Sequence, residues 1–85
     1  MENRSHYIKK LIYRSKYTGT RETDILLGSF AEKYLVNLSD ENLFTYEQLL
    51  NSGDPRIWRL SIDIEQTNSE KENTIISLIK EFEGF

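Results

Sequence analysis

Tyr13-Arg14-Ser15-Lys16-Tyr17-Thr18-Gly19-Thr20-Arg21-Glu22-Thr23-Asp24-Ile25-Leu26-Leu27-Gly28-Ser29-Phe30 changes character twice: a basic run, a glycine break, then acids opening an apolar segment. Two helices joined at a corner account for the pattern. Arg14 and Lys16 suit the negative end of a helix that is finishing, and Glu22 and Asp24 suit the positive end of one that is starting. Gly19 reads as the C-cap that stops the first helix with φ > 0, and Thr20 as the N-cap of the second.

Working outward, the same periodicity continues on both sides. Upstream, Tyr7, Ile8, Leu11, Ile12 and Ser15 recur at steps of three and four, which predicts an amphipathic helix from Ser5 to about Tyr17. Downstream, Ile25, Leu26, Phe30, Ala31, Tyr34 and Leu35 give a broad apolar face from Arg21 to about Val36. Gly28 within that face costs a helix about 1 kcal/mol against alanine, so it implies a close contact. Asn37-Leu38-Ser39-Asp40 reads as a loop ending in a cap, before a third helix striped by Leu43, Tyr46, Leu49 and Leu50. Asp54-Pro55 predicts an N-cap with proline at the first position of a fourth helix, which carries Ile57, Trp58, Leu60 or Ser61, and Ile64. Ser69 with Glu72 forms a capping box for a fifth, bearing Ile75, Ile76, Ile79 and Phe82, and Gly84-Phe85 closes the sequence. No strand alternation competes. The expected fold class is all-α: a compact bundle of about five short helices in a single domain, residues 1–85.

Composition narrows the chemistry. Eighty-five residues without cysteine hold no disulfide framework and no thiolate site, and the single histidine, His6, leaves too few ligands for a histidine-based zinc site and no base for a serine triad. The longest apolar run, Ile25-Leu26-Leu27, is far short of a membrane span. The basic first segment runs straight into the corner, so the expectation is a bacterial cytosolic chain rather than a mitochondrial precursor. Net charge is −3, but Arg4, Lys9, Lys10, Arg14, Lys16 and Arg21 face Glu2 alone within residues 1–21. A basic end on an acidic body predicts an oriented encounter with a partner.

The corner also carries a resemblance. Tyr13-Arg14-Ser15, Gly19-Thr20-Arg21-Glu22, Asp24 and Leu26-Leu27-Gly28-Ser29-Phe30-Ala31 resemble the small FAD assembly factors of succinate dehydrogenase, the SdhE type, whose hallmark is Arg-Gly-x-x-Glu. Gly19 and Glu22 match it, and Thr18 stands where the family has arginine. Leu38 to Leu43, Tyr46 to Leu50 and Asp54-Pro55 are similar to the family's second half. The resemblance implies a five-helix bundle that binds the flavoprotein subunit of succinate dehydrogenase, with fumarate reductase as a further candidate, and promotes covalent attachment of FAD to a histidine there. It implies no tightly bound cofactor of its own, since the FAD belongs to the partner, and no enzymatic side chain; a monomer pairing one-to-one is the simplest expectation. Carried over by position, Arg14, Ser15, Gly19, Arg21, Glu22 and Asp24 form the partner-binding set, with Ser15 at its margin and Arg21 or Lys16 as the substitute for the missing arginine.

The residues alone leave other readings open. Arg14, Lys16 and Arg21 can be a solvated face, Glu22 a first-turn dipole residue, and Ser15 a hydroxyl bonded to its own helix. Trp58 and the tyrosines read mostly as packing, with Tyr13 and Tyr17 at an interface because they flank the basic corner. Glu22 and Asp24 lie two apart on a helix and diverge, which disfavours acid-base catalysis. A helical adaptor or antitoxin-like inhibitor, and a nucleic-acid module using the basic first helix, remain as alternatives; a sequence pI near 5.1 weighs against the second.

Overall fold

A computed structural model describes residues 3–83; the expectation for Gly84-Phe85 lies outside them, as do the side chains of Asp54 and Glu83. Among the described residues there are five α-helices and no strand: α1 (Arg4–Ser15), α2 (Arg21–Tyr34), α3 (Asp40–Asn51), α4 (Asp54–Ser61) and α5 (Glu70–Glu83), with a 3-10 turn at Leu35–Asn37 extending α2. The all-α reading therefore holds. Helix α1 lies against α2 and α3, and α5 crosses α3, α4 and α2 to close the bundle.

Four of the five helices, all but α4, start where a side chain can take up a free N–H. Asn3 accepts from His6 N at 2.8 Å, Thr20 from Thr23 N, Ser39 from Asn42 N at 3.1 Å and Ser69 from Glu72 N at 3.1 Å. The Thr20 and Ser69 caps were legible, whereas the Asn3 cap was not. The capping box at α5 is modified: the Glu72 carboxylate reaches back to Asn68 N at 2.8 Å rather than to Ser69. At α4 the N-cap is Gly53, at φ 93°, and Pro55 follows in the second helical position, one step later than its sequence suggests.

Helix α4 also stops earlier than expected, at Ser61 instead of running through Ile64. Ile64 N bonds Arg59 O at 2.9 Å and Asp63 N bonds Leu60 O at 3.3 Å, the paired bonds of a Schellman ending, with Asp63 at φ 63° in the place glycine usually takes. Ile64 is consequently turned out to solvent.

The core forms around Leu11, Leu27, Phe30, Leu43, Tyr46 and Ile75, all at or near zero exposure. Phe30 packs against Tyr34 (centroids 5.1 Å), Tyr46 (5.9 Å) and Phe82 (6.0 Å), so one aromatic cluster ties α2, α3 and α5 together. Leu27, absent from the expected face, is fully buried, while Ile25, assigned to it, is 59% exposed. Gly28 sits where α2 meets the end of α1: a Cβ there would lie 3.0 Å from Lys16 Cγ, the close contact expected from the sequence, and the lysine side chain would have to give way to it.

Across the bundle, Arg56 of α4 grips Glu72 of α5 in a bidentate pair (2.7 and 3.0 Å) and Glu65 of the intervening loop (2.8 Å), and Arg59 adds a second bond to Glu65 (2.9 Å). The Arg56 and Glu72 side chains are about six-sevenths covered, at 15% and 14% exposure. These contacts hold the long α4–α5 connection against the bundle.

Candidate functional site

The corner between α1 and α2 is organised by one carboxylate oxygen. Asp24 Oδ1 accepts from Thr18 N at 2.6 Å, Thr18 Oγ1 at 2.6 Å and Gly19 N at 3.3 Å. These bonds, led by that from the Thr18 hydroxyl, hold the Asp24 carboxyl below its ordinary range. They draw the chain away from a helical path, so α1 ends at Ser15 with Lys16 as its cap. Gly19 is therefore not the C-cap expected from the sequence. At φ 145° it is the bend that delivers the chain to Thr20.

The result is an exposed run, Gly19-Thr20-Arg21-Glu22, mounted on a braced loop. Arg21 and Glu22 make no hydrogen bond or ion pair with the described residues, and both are exposed on the first turn of α2. A carboxylate at that turn is favoured by the helix dipole.

The other residues of the expected partner-binding set separate. Ser15 is fully buried: its Oγ donates to Leu11 O at 2.7 Å and receives the Tyr46 hydroxyl at 2.5 Å. It belongs to the core and presents nothing to a docking surface; the bond to Leu11 O is the other reading that the sequence left open, a hydroxyl bonded to its own helix. Arg14 is half-buried; its Nη2 donates to Asn51 Oδ1 at 2.7 Å and its Nη1 lies 3.9 Å from Glu47 Oε2. Lys16 pairs with Glu32 of α2, which raises the Lys16 pKa, chiefly through that hydrogen bond. Asp24 is a brace within the loop. Of the three cations that seemed to cluster at the corner, Arg21 alone has its charge unspent among the described residues, which favours it over Lys16 as the cation next to Gly19.

Two neighbours were not legible as site residues. Trp58 and Pro55 of α4 come up beside Thr20, Glu22 and Thr23 to form an open groove of about 360 Å³. Trp58 is 39% exposed, with most of its surface packed as expected, and it lines this groove. The signal for it was faint: Trp58 stands one step off the buried Ile57, Leu60, Ser61 stripe of α4. Around the end of α1, Tyr13 and Tyr17 are 67% and 68% exposed, with ring centroids 4.8 Å apart. They border a small hollow with Arg14, Thr18 and Leu50. Among the described residues no group of acids and histidines could hold a metal ion, and no helix is long and apolar enough to cross a membrane.

The sequence profile of the family described as flavinator of succinate dehydrogenase matches residues 9–83, nearly the whole chain and all of this corner. The chain belongs to that family. Flavinator relatives include succinate dehydrogenase assembly factor 2-A, mitochondrial, of Drosophila willistoni, 39% identical over 75 residues that cover 86% of this chain and 48% of the relative. Assembly factor 2-B, mitochondrial, of Drosophila ananassae is 37% identical over 75 residues, covering 86% and 46%. The chain thus spans about half the length of the curated relatives it matches. No solved structure shows significant similarity to this flavinator-family chain. The expectation of a bacterial cytosolic protein is corrected by these matches, which are mitochondrial proteins of insects. That expectation rested on where the basic segment begins, and a sequence half the length of its relatives carries no such information.

Proposed function

We propose that this flavinator-family protein binds the flavoprotein subunit of succinate dehydrogenase and promotes its covalent flavinylation, with the corner between α1 and α2 as its docking surface. The observation that carries the reading is the exposure of Gly19 and Glu22, the two positions that match the family hallmark, on one braced edge. Gly19 lets a partner backbone approach, Glu22 accepts hydrogen bonds from partner donors, and Arg21 supplies a cation beside them.

In this reading the flavin belongs to the partner, and the chain contributes no catalytic side chain. Its effect is positional: it holds the domains of the flavoprotein so that the partner's histidine is close to the flavin methyl carbon, and lowers the barrier by orientation and by fixed charges. Asp24 works indirectly, by fixing the Thr18-Gly19 bend that leads into the helical turn carrying Glu22. A monomer engaging one flavoprotein subunit is the simplest stoichiometry.

The test is reconstitution of the unflavinylated subunit with FAD, with and without the chain, reading covalent flavin as fluorescence of the denatured band. A higher yield with the chain supports the function. An unchanged yield from a complex that forms supports instead an adaptor that merely covers the partner's surface.

A further inference from the structure

We propose that the groove between α2 and α4 receives an arginine side chain of the partner protein, its guanidinium lying across the Trp58 ring and pairing with the Glu22 carboxylate. This rests on the function proposed above and names the chemistry that the docking surface recognises.

The groove is lined by Thr20, Glu22, Thr23, Pro55 and Trp58. Its threonines are engaged with each other: Thr20 Oγ1 donates to Thr23 Oγ1 at 2.8 Å and accepts from Thr23 N at 3.4 Å. Among the described residues, Glu22 is the lining's single ionisable side chain, and it has no hydrogen bond or ion pair with them. The cations of α4 do not reach it. Arg56 and Arg59 are turned toward Glu65 and Glu72 instead.

An aromatic wall beside one unspent carboxylate selects for a flat cation with an apolar stem. A guanidinium stacks on tryptophan and presents a fork that matches a carboxylate, whereas an ammonium supplies the charge without the flat face. An acidic occupant is repelled by Glu22. A purely apolar occupant would strip water from that carboxylate without pairing it, which is strongly unfavourable.

Trp58 is the only tryptophan in the chain and serves as a local reporter. The full chain carrying 5-fluorotryptophan is titrated with the unlabelled flavoprotein subunit, following the fluorine resonance, and affinities are measured for Glu22→Gln, Trp58→Phe, Trp58→Leu and the Glu22→Gln/Trp58→Leu pair. The resonance is expected to move on binding. Glu22→Gln and Trp58→Leu should each weaken the complex by about tenfold, with Trp58→Phe milder because a ring remains. The pair should lose little more than either single variant, because both residues hold the same guanidinium.

A resonance that stays fixed while the complex forms overturns the proposal, as do losses that multiply to about a hundredfold in the pair. Glu22→Gln binding as well as the wild type, while Trp58→Leu binds poorly, indicates an apolar plug and also overturns it. If the wild-type chain does not bind the subunit at all, the docking function itself fails, a result distinct from the others.

Discussion

The Ser15 hydroxyl has one proton and gives it to Leu11 O, so the Tyr46 O–H must be the donor of the 2.5 Å bond between the two side chains. Burial also pushes the Tyr46 hydroxyl's pKa well above its ordinary value, keeping that proton in place. Ser15→Ala would leave the Tyr46 hydroxyl buried without its acceptor, and is expected to cost about 1–3 kcal/mol. Urea denaturation measures this, and a loss below a few tenths of a kcal/mol would show that the bond is not needed. The outcome bears on function as well: partner affinity of the folded variant should be unchanged, because Ser15 is in the core. Asp24 is the contrasting case. Asp24→Ala should disturb the Thr18-Gly19 bend and weaken partner binding without Asp24 itself touching the partner.

At the scale of elements, the Arg56 clamp joins α4, the following loop and α5. Arg56→Ala removes the bidentate pair and strands the largely covered Glu72, which is expected to destabilise the fold by about 2 kcal/mol in thermal or urea unfolding. The same groups set an acid limit. Glu72 is held below its ordinary pKa of 4.5 chiefly by the Arg56 hydrogen bonds, and Glu65 chiefly by Arg59, with Asp24 lowered in the corner. A carboxylate whose folded pKa is depressed contributes stability that is complete above its unfolded value and is lost as pH falls through the folded one. Stability should therefore be flat down to about pH 5 and fall below it, with a shallower fall in Arg56→Ala; equal slopes in the two proteins would contradict the assignment.

Most of these elements were legible because helix periodicity and caps are local signals. The stripes of α3 and α5 and the Thr20 and Ser69 caps follow from residues a few positions apart. What was not legible depends on how the chain turns and on which helices then become neighbours. The Asp24 brace is formed after the chain has turned and moves the end of α1 back to Ser15. The early stop of α4 depends on Asp63 adopting φ 63°, which its residue type permits but does not announce. The Trp58 groove exists because α4 packs beside the first turn of α2, and neither segment alone indicates that neighbour.

For the molecule as a whole, the first 21 residues are strongly basic in sequence, yet the fold spends much of that charge. Arg4 pairs with Asp40, Lys16 with Glu32, and Arg14 faces Glu47. Lys9 and Arg21 keep theirs open to solvent among the described residues. Association with the flavoprotein subunit should therefore slow as salt rises from about 50 to 300 mM, while dissociation changes little, since distant exposed charges act mainly on the encounter. Stopped-flow mixing reads both rates, and an association rate indifferent to salt would remove electrostatic steering from the account. Lys9→Glu should slow association in the same way at low salt.

The central claim is that the exposed edge carrying Gly19 and Glu22 makes the chain an effective helper of flavinylation. The most direct measurement is covalent flavin on the denatured flavoprotein subunit after incubation with FAD and either the wild-type chain, Glu22→Ala, or no chain. Glu22 is exposed and bonded to none of the described residues, so its loss should leave the helical content intact. The account predicts that the wild-type chain raises the fluorescent band and that Glu22→Ala falls back toward the level without the chain while remaining folded. A folded Glu22→Ala protein that supports flavinylation as well as the wild type would contradict it.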